Sequence, residues 1–302
     1  MTASASASAA ASVRARPLAL SALLTELAAD FARAGIIDPQ VDAELLAAHV
    51  LGGGRGAVQA AAIRGDELSE ADAERLRDLG RRRAAREPLQ HLTGVAYFRH
   101  LELRVGPGVF VPRPETEMVA QLAIDALAAA ASPAPIAVDL GTGSGALALA
   151  LATEVPHARV HAAENSVDAF IWATENFAAV GAENARLAFI DLARAFPELD
   201  GTVSVLVSNP PYVPDAAVPR DPEVRLFDPP HALYGGEDGL DVVRTLAETG
   251  RRLVHPGGMI VIEHGELQGA QVREVLTAAG WRAAATHRDL TLRDRATTAV
   301  RP

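Results

Sequence analysis

The sequence predicts an α/β protein: a parallel sheet covered by helices on both faces, preceded by a small domain made of helices. Three observations predict it. From Ile136 onward, short apolar runs alternate with segments of helical length; from Leu18 to Arg86, apolar residues recur at helical spacing; between the two, apolar and polar residues alternate one by one.

In the first part, Leu20, Leu23, Leu24, Leu27 and Phe31 fall on one stripe, and Val41, Leu45, Leu46 and Val50 on another. Gly52-Gly53-Gly54 interrupts the pattern, and Ser69 is the expected N-cap of the charged helix in SEADAERLRDLGRRRAA. The arginines at its end (Arg81, Arg82, Arg83, Arg86) read as a solvated helix face, with a partner-binding surface as the alternative. The alternation in YFRHLELRV and the turn at Gly106-Pro107-Gly108 predict a β-hairpin linker. A helix follows near Glu115 to Ala131, closed by Ser132-Pro133-Ala134-Pro135. Then come five candidate strands: Ile136 to Leu140, Arg159 to Ala163, Arg186 to Ile190, Val203 to Val207 and Met259 to Glu263. The expected domains are therefore a disordered tail (1–16), a helical domain (17–88), the hairpin linker (89–112) and the α/β domain (113–302).

Composition excludes several kinds of chemistry. The 302 residues contain no cysteine, which removes disulfides, thiolate metal sites and cysteine nucleophiles. The nine histidines show no ligand spacing, so no metal is expected. A net charge of -10 argues against broad binding to a phosphate backbone, and no direct nucleic-acid substrate is expected. No apolar run reaches the roughly 18 to 20 residues of a membrane span, so a cytoplasmic location without membrane contact is expected. The Ala/Ser-rich first 16 residues lack the leucine-rich core of a secretory signal.

In parallel sheets, ligands sit beyond the carboxyl ends of the strands, so each strand exit is a candidate site. The first exit reads Gly141-Thr142-Gly143-Ser144-Gly145-Ala146 and runs into a helix. Glycines let the backbone approach a ligand, and the helix start presents free N–H groups. Gly141, Gly143 and Ala146 also satisfy the dinucleotide pattern. The second strand ends on Glu164, whose two oxygens suit the two hydroxyls of a ribose. Together these residues point to an adenosine-bearing cofactor, either a nicotinamide dinucleotide or S-adenosylmethionine.

The fourth exit, Asn209-Pro210-Pro211-Tyr212, favours the second. An amide or exocyclic amine nitrogen is a poor nucleophile because its lone pair is delocalised, so a methyltransferase acting on it must hold both N–H groups with acceptors. The Asn209 side-chain carbonyl and the backbone carbonyl of Pro210 are two such acceptors, and the prolines fix the second in place. Tyr212 offers a ring face to the flat group and to a cationic sulfonium.

With these motifs in view, the chain resembles the HemK/PrmC protein-(glutamine-N5) methyltransferases, which methylate the glutamine of the GGQ motif in bacterial class I peptide chain release factors. The resemblance covers EPLQHLTGVAYF, VPRPETE, DLGTGSGALALALA, VSNPPYV, DPPHALYGGEDGLD and IEHGELQG. It implies a class I S-adenosylmethionine-dependent methyltransferase domain, Rossmann-like with a mostly parallel seven-stranded sheet, and an N-terminal bundle that recognises the substrate protein. It also implies that Gly141, Thr142, Gly143, Ser144 and Gly145 hold the methionine end of the cofactor and Glu164 its ribose. Asn209, Pro210, Pro211 and Tyr212 would hold the glutamine, with Asn209 also near the cofactor. Leu192 follows Asp191 where some relatives set an aromatic residue against the adenine, so an apolar wall replaces stacking and Asp191 is left to accept from the adenine amine. Arg113, Glu115 and Glu117 match the family without a single role, and His264, after Glu263, is expected to be a packed histidine. No general base is evident, so the amide proton is expected to pass to water. The alternatives are a glutamine methyltransferase of a ribosomal protein, a base-amine methyltransferase on RNA or DNA, and, from another class, a nicotinamide dehydrogenase.

Overall fold

The computed structural model describes residues 18–302; the tail expected over 1–16 lies outside them. The chain divides after Thr93 into two compact units.

The first unit contains β1 (Leu18–Ala19), α1 (Leu20–Arg33), α2 (Pro39–Leu51), α3 (Arg55–Arg64), β2 (Glu67–Leu68), α4 (Glu70–Ala84) and α5 (Leu89–Thr93). The first stripe meets Leu46 and Val50 of the second in one core, where Leu23, Phe31, Leu46 and Leu76 have no exposed surface, while Val41 and Leu45 of the second stripe stay half-buried outside it. Ser69 caps α4 as expected, its Oγ accepting from the backbone N–H of Asp72 at 3.1 Å. The antiparallel pairing of β1 with β2 is two residues long and leaves no periodicity to read. The arginines closing α4 are engaged within the unit: Arg81 with Asp78, Arg82 with Glu87, and buried Arg83 with Asp42 of α2 at 2.7 Å. Arg86, just beyond the helix, donates to the carbonyls of Ala34 and Gly35. Basic charge at this end is therefore largely balanced where it stands.

The second unit runs from Gly94. It comprises β3 (Val95–Phe98), β4 (Leu101–Arg104), α6 (Thr116–Ala128), β5 (Ile136–Leu140), α7 (Ala146–Glu154), β6 (Arg159–Glu164), α8 (Val167–Val180), β7 (Ala185–Phe189) and β8 (Val203–Ser208). After β8 follow α9 (Pro222–Phe227), α10 (Pro230–Leu233), α11 (Asp241–Leu253), β9 (Val254–Glu263), α12 (Gly269–Ala278), β10 (Arg282–Arg288) and β11 (Asp294–Val300). Seven strands form one sheet in the order β10-β11-β9-β8-β5-β6-β7, with β11 the antiparallel member. The last two strands, absent from the five read as apolar runs, are half polar and carry threonine and arginine.

Every residue of β5 and β8 is buried, which explains their continuous apolar reading. Alternate side chains feed two cores. Ile136, Val138 and Leu140 pack with α11 and α12, while Val205, Val207 and Val261 pack with α6 and α7. The chain lays β6 and β7 to one side of β5, then crosses to build β8 and β9 on the other. The crevice at this reversal, between the exits of β5 and β8, is where an open α/β sheet takes its ligand.

The hairpin expected within 89–112 forms over β3 and β4, but it is not a linker. Its first residues, Leu89–Thr93, are helix α5 of the first unit. The strands belong to the second, with Phe98 and Leu103 wholly buried in the core under α6 and α7. Alternation showed one apolar face without showing what covers it. Among the described residues no helix is long and apolar enough to cross a membrane.

Burial of Leu103 predicts that Leu103→Ala lowers unfolding free energy by about 2–5 kcal/mol, measured by urea denaturation; an effect below about 0.5 kcal/mol is what a solvated linker residue would give.

Candidate active site

The glycine loop after β5 owes its shape to side chains from three other elements. Gly141 and Gly143 have φ of 74° and 58°, and a Cβ at either would meet no atom within 4 Å, so bare backbone borders open space. Gly145 differs: a Cβ there would lie 2.9 Å from the Phe177 ring, so this glycine lets α7 and α8 approach. Asp139, on β5, accepts from the Thr142 hydroxyl at 2.6 Å and the Ala148 N–H at 3.1 Å. Asn176 of α8, almost fully buried, donates to the Ser144 carbonyl and makes a two-way bond with the Arg104 backbone. It thereby joins the loop to β4. Trp172, also on α8, donates to the carbonyl of Pro107 and packs on Gly106, which sets the turn carrying Gly108 and Phe110.

Glu164 does more than the sequence reading asks of it. Its Oε1 accepts from the N–H groups of Asn165 and Ser166, and its Oε2 from that of Gly143 at 2.8 Å. The carboxylate clamps the glycine loop to the exit of β6, and Oε2 keeps a second lone pair for a ligand hydroxyl.

The Asn-Pro-Pro-Tyr turn is fixed as firmly. Ser208 donates to the Leu140 carbonyl at 2.6 Å, tying the exit of β8 to that of β5. Beyond the prolines, Val213 exchanges backbone bonds with Leu233 and Gly235, and Gln268 donates to the Tyr212 carbonyl at 2.9 Å. Gly239, at φ 76°, lies so close that a Cβ would stand 2.3 Å from that same carbonyl oxygen. Asn209 donates through Nδ2 to the Thr116 hydroxyl at 3.4 Å, and among the described residues its Oδ1 makes no hydrogen bond. The amide therefore presents its carbonyl as an acceptor.

Both loops line one cavity of about 520 Å³, within the range of small-molecule sites. Gly141 to Ser144, Glu164, Leu192 and Asn209 to Tyr212 all reach it. Gly145 and Asp191 are not in its wall. The Asp191 carboxylate caps a turn through Ala193 N–H and accepts at 3.2 Å from Asn165, which is in the wall. The segment without an assigned role now divides. Arg113 pairs with Asp228 at 2.7 Å and lies over the Phe110 ring, Glu115 and Thr116 line the cavity, and Glu117 accepts from the Arg99 N–H. His264 is packed as expected, with Nε2 on the Thr297 hydroxyl and no exposed surface.

Burial dominates the electrostatics. It pushes the Asp139 carboxyl up to about 7 against its bonds to Thr142 and Ala148, with Glu164 nearby adding to the rise. It raises Asp228 to about 6 despite Arg113, and Glu263 to about 7 despite Thr116 and Arg295. It also holds the Tyr212 hydroxyl well above its ordinary range, so the phenol stays neutral.

The PrmC N-terminal domain family matches residues 22–94 and the Methyltransferase small domain family residues 100–233. A release factor glutamine methyltransferase of Streptomyces coelicolor is 49% identical, covering 89% of this chain and 93% of that protein. Another, of Bifidobacterium longum, is 40% identical, covering 90% and 96%. Among solved structures, a 16S rRNA methyltransferase of T. thermophilus in complex with AdoMet and guanosine shares the fold, with 20% identity, a TM-score of 0.52, and coverage of 69% of this chain and 50% of that one.

Two outcomes follow from the geometry. Gly239→Ala, forced against the Tyr212 carbonyl at positive φ, lowers thermal stability by an amount equivalent to about 1–3 kcal/mol, read by calorimetry. Asp139 retains a proton in the folded chain at pH values where the unfolded chain has released it, so its contribution is full below about pH 4 and lost as pH rises through about 7. Wild type therefore loses stability relative to Asp139→Asn between those limits, on the order of 2–4 kcal/mol, measured by urea denaturation across pH.

Proposed function

The chain belongs to the release factor glutamine methyltransferases, and from that premise we propose which of its residues hold S-adenosylmethionine and which hold the glutamine. The relatives are named for methylating a release factor glutamine, and we place the transfer on the side-chain amide nitrogen of the GGQ glutamine in a class I peptide chain release factor.

Bound S-adenosylmethionine supplies an electrophilic methyl group on a cationic sulfur. The backbone of Gly141 to Ser144 cradles its methionine end, where glycines of positive φ leave room that any Cβ would take. The free lone pair on Glu164 Oε2 takes a ribose hydroxyl, and Leu192 with Asn165 borders the adenine. Gly145 and Asp191 act at one remove, the first by letting α8 close on α7, the second by holding Asn165.

The glutamine enters with its amide between Asn209 and Tyr212. Asn209 Oδ1 accepts one N–H, the Pro210 carbonyl accepts the other, and the nitrogen lone pair is left directed at the methyl group. Nothing in this requires a stronger nucleophile; orientation lowers the barrier. The neutral ring of Tyr212 covers the flat amide and favours the neighbouring positive charge. The observation carrying this reading is that Thr116 takes the Nδ2 side of Asn209, which leaves Oδ1 as an unpaired acceptor in the cavity that the glycine loop also lines. The helical unit, which matches the PrmC N-terminal domain, recognises the release factor away from the glutamine-bearing loop.

With labelled S-adenosylmethionine, the protein labels a release factor and leaves its GGQ Gln→Ala form unlabelled; equal labelling of the two would remove the assignment. Asn209→Ala lowers kcat by about 100-fold or more and largely keeps cofactor affinity, and calorimetry finds binding of S-adenosylmethionine but not of NAD.

A further inference from the structure

Loss of the amide proton is the step that the residues named so far leave unserved. Glu263 closes β9, is 2% exposed, and still lines the cavity. Its Oε2 is buried with no hydrogen-bond partner among the described residues. An unpartnered buried carboxyl oxygen costs about 1–3 kcal/mol, and nothing in the packing of the sheet explains its retention.

Its neighbours connect it to the substrate site. Thr116 and Tyr212 line the same cavity, and both hold the proton affinity of the carboxyl down against burial. Thr116 accepts from Asn209 Nδ2, which leaves its own O–H to be given elsewhere. Asn209, Thr116, Glu263 and Tyr212 thus all line the cavity in which the amide is held. The charged groups that bear on it are Arg295 from β11, which favours the carboxylate, and Glu115 from the start of α6, which opposes it.

We propose that Glu263, through Oε2, is the acceptor of the proton that the glutamine amide loses on methylation, a role that rests on the reading given above. The N–CH₃ bond forms as the S–CH₃ bond breaks, with the breaking pair staying on sulfur. The nitrogen, cationic at that point, turns the N–H held by Asn209 Oδ1 toward the neighbouring carboxylate, gives it that proton and regains its lone pair, while the Pro210 carbonyl keeps the other N–H. Glu263 is then a neutral acid, and water takes the proton after product leaves. Burial raises its proton affinity to about 7, which matches a base working near neutral pH.

The experiment pairs pH–rate profiles with a direct titration. Wild-type kcat/KM for release factor rises about tenfold per pH unit below about 7 and then levels off. Glu263→Gln lowers kcat about 100-fold at the plateau, leaves KM little changed and removes the inflection; Glu263→Asp restores the slope. In the free protein, the infrared difference between wild type and Glu263→Gln shows a protonated-carboxyl band that disappears through the same pH range, beyond the bands that Asp139 and Asp228 give in both proteins. Turnover of Glu263→Gln within about threefold of wild type, or an unchanged inflection, overturns the role. Should that variant fold poorly, a wild-type profile flat between about pH 6 and 8 overturns it as well. Failure of the wild type to label release factor overturns the function and the proposal with it, whereas labelling with unimpaired Glu263→Gln overturns the proposal alone.

Discussion

The crevice between β5 and β8 exists because the chain leaves these two neighbouring parallel strands in opposite directions, and it stays open because side chains satisfy the backbone along its border. A polypeptide that turns sharply at a buried edge exposes N–H and C=O groups that must find partners. Glu164 takes three N–H groups, Asn176 takes the Ser144 carbonyl, and Ser208 takes that of Leu140. With those groups occupied, the glycine loop and the Asn-Pro-Pro-Tyr turn become fixed walls. The cavity is the remainder.

Rigidity of this kind is what methyl transfer to an amide demands. The nucleophile is weak, and its strengthening comes from direction, so an acceptor displaced by an ångström loses much of its effect. Each acceptor is accordingly backed by a second contact. Asn209 is turned by Thr116, and Pro210 sits in a turn whose Tyr212 carbonyl, two residues on, is held by Gln268 and pressed by Gly239. The hairpin, the turn at Gly106 to Gly108 and α8 serve the same end from the other side of the cavity.

Two buried acids with similar proton affinity have different uses. Asp139 spends Oδ2 on Thr142 and Ala148 to shape the loop, and its unpartnered Oδ1 belongs to a residue outside the cavity wall. Glu263 lines the cavity with Thr116 and Tyr212, and its buried Oε2 is unpaired. Proton affinity alone does not separate the two; what each oxygen faces does.

The sequence by itself determined everything carried by neighbours in the chain. Periodicity located the longer helices of the first unit, α6 and the five parallel strands but not the short α5, α9 and α10. Ser69 was legible as a cap, and the glycine loop and the Asn-Pro-Pro-Tyr turn announced their chemistry because each motif is contiguous, with Glu164 legible from its place at a strand end. The tertiary structure alone decided which residues stand behind them. Asn176, Gln268 and Thr116 are ordinary polar residues on helices or at their ends, and their partners lie 72, 56 and 93 positions away. The same holds for the hairpin, whose alternation gave one apolar face but not the α6 and α7 core that covers it, and for Asp191, which is bonded to Asn165 of the cavity wall. Local pattern records the conformation of a segment, since that depends on residues within a turn or two; a hydrogen bond across the fold depends on which segments the closed sheet brings together.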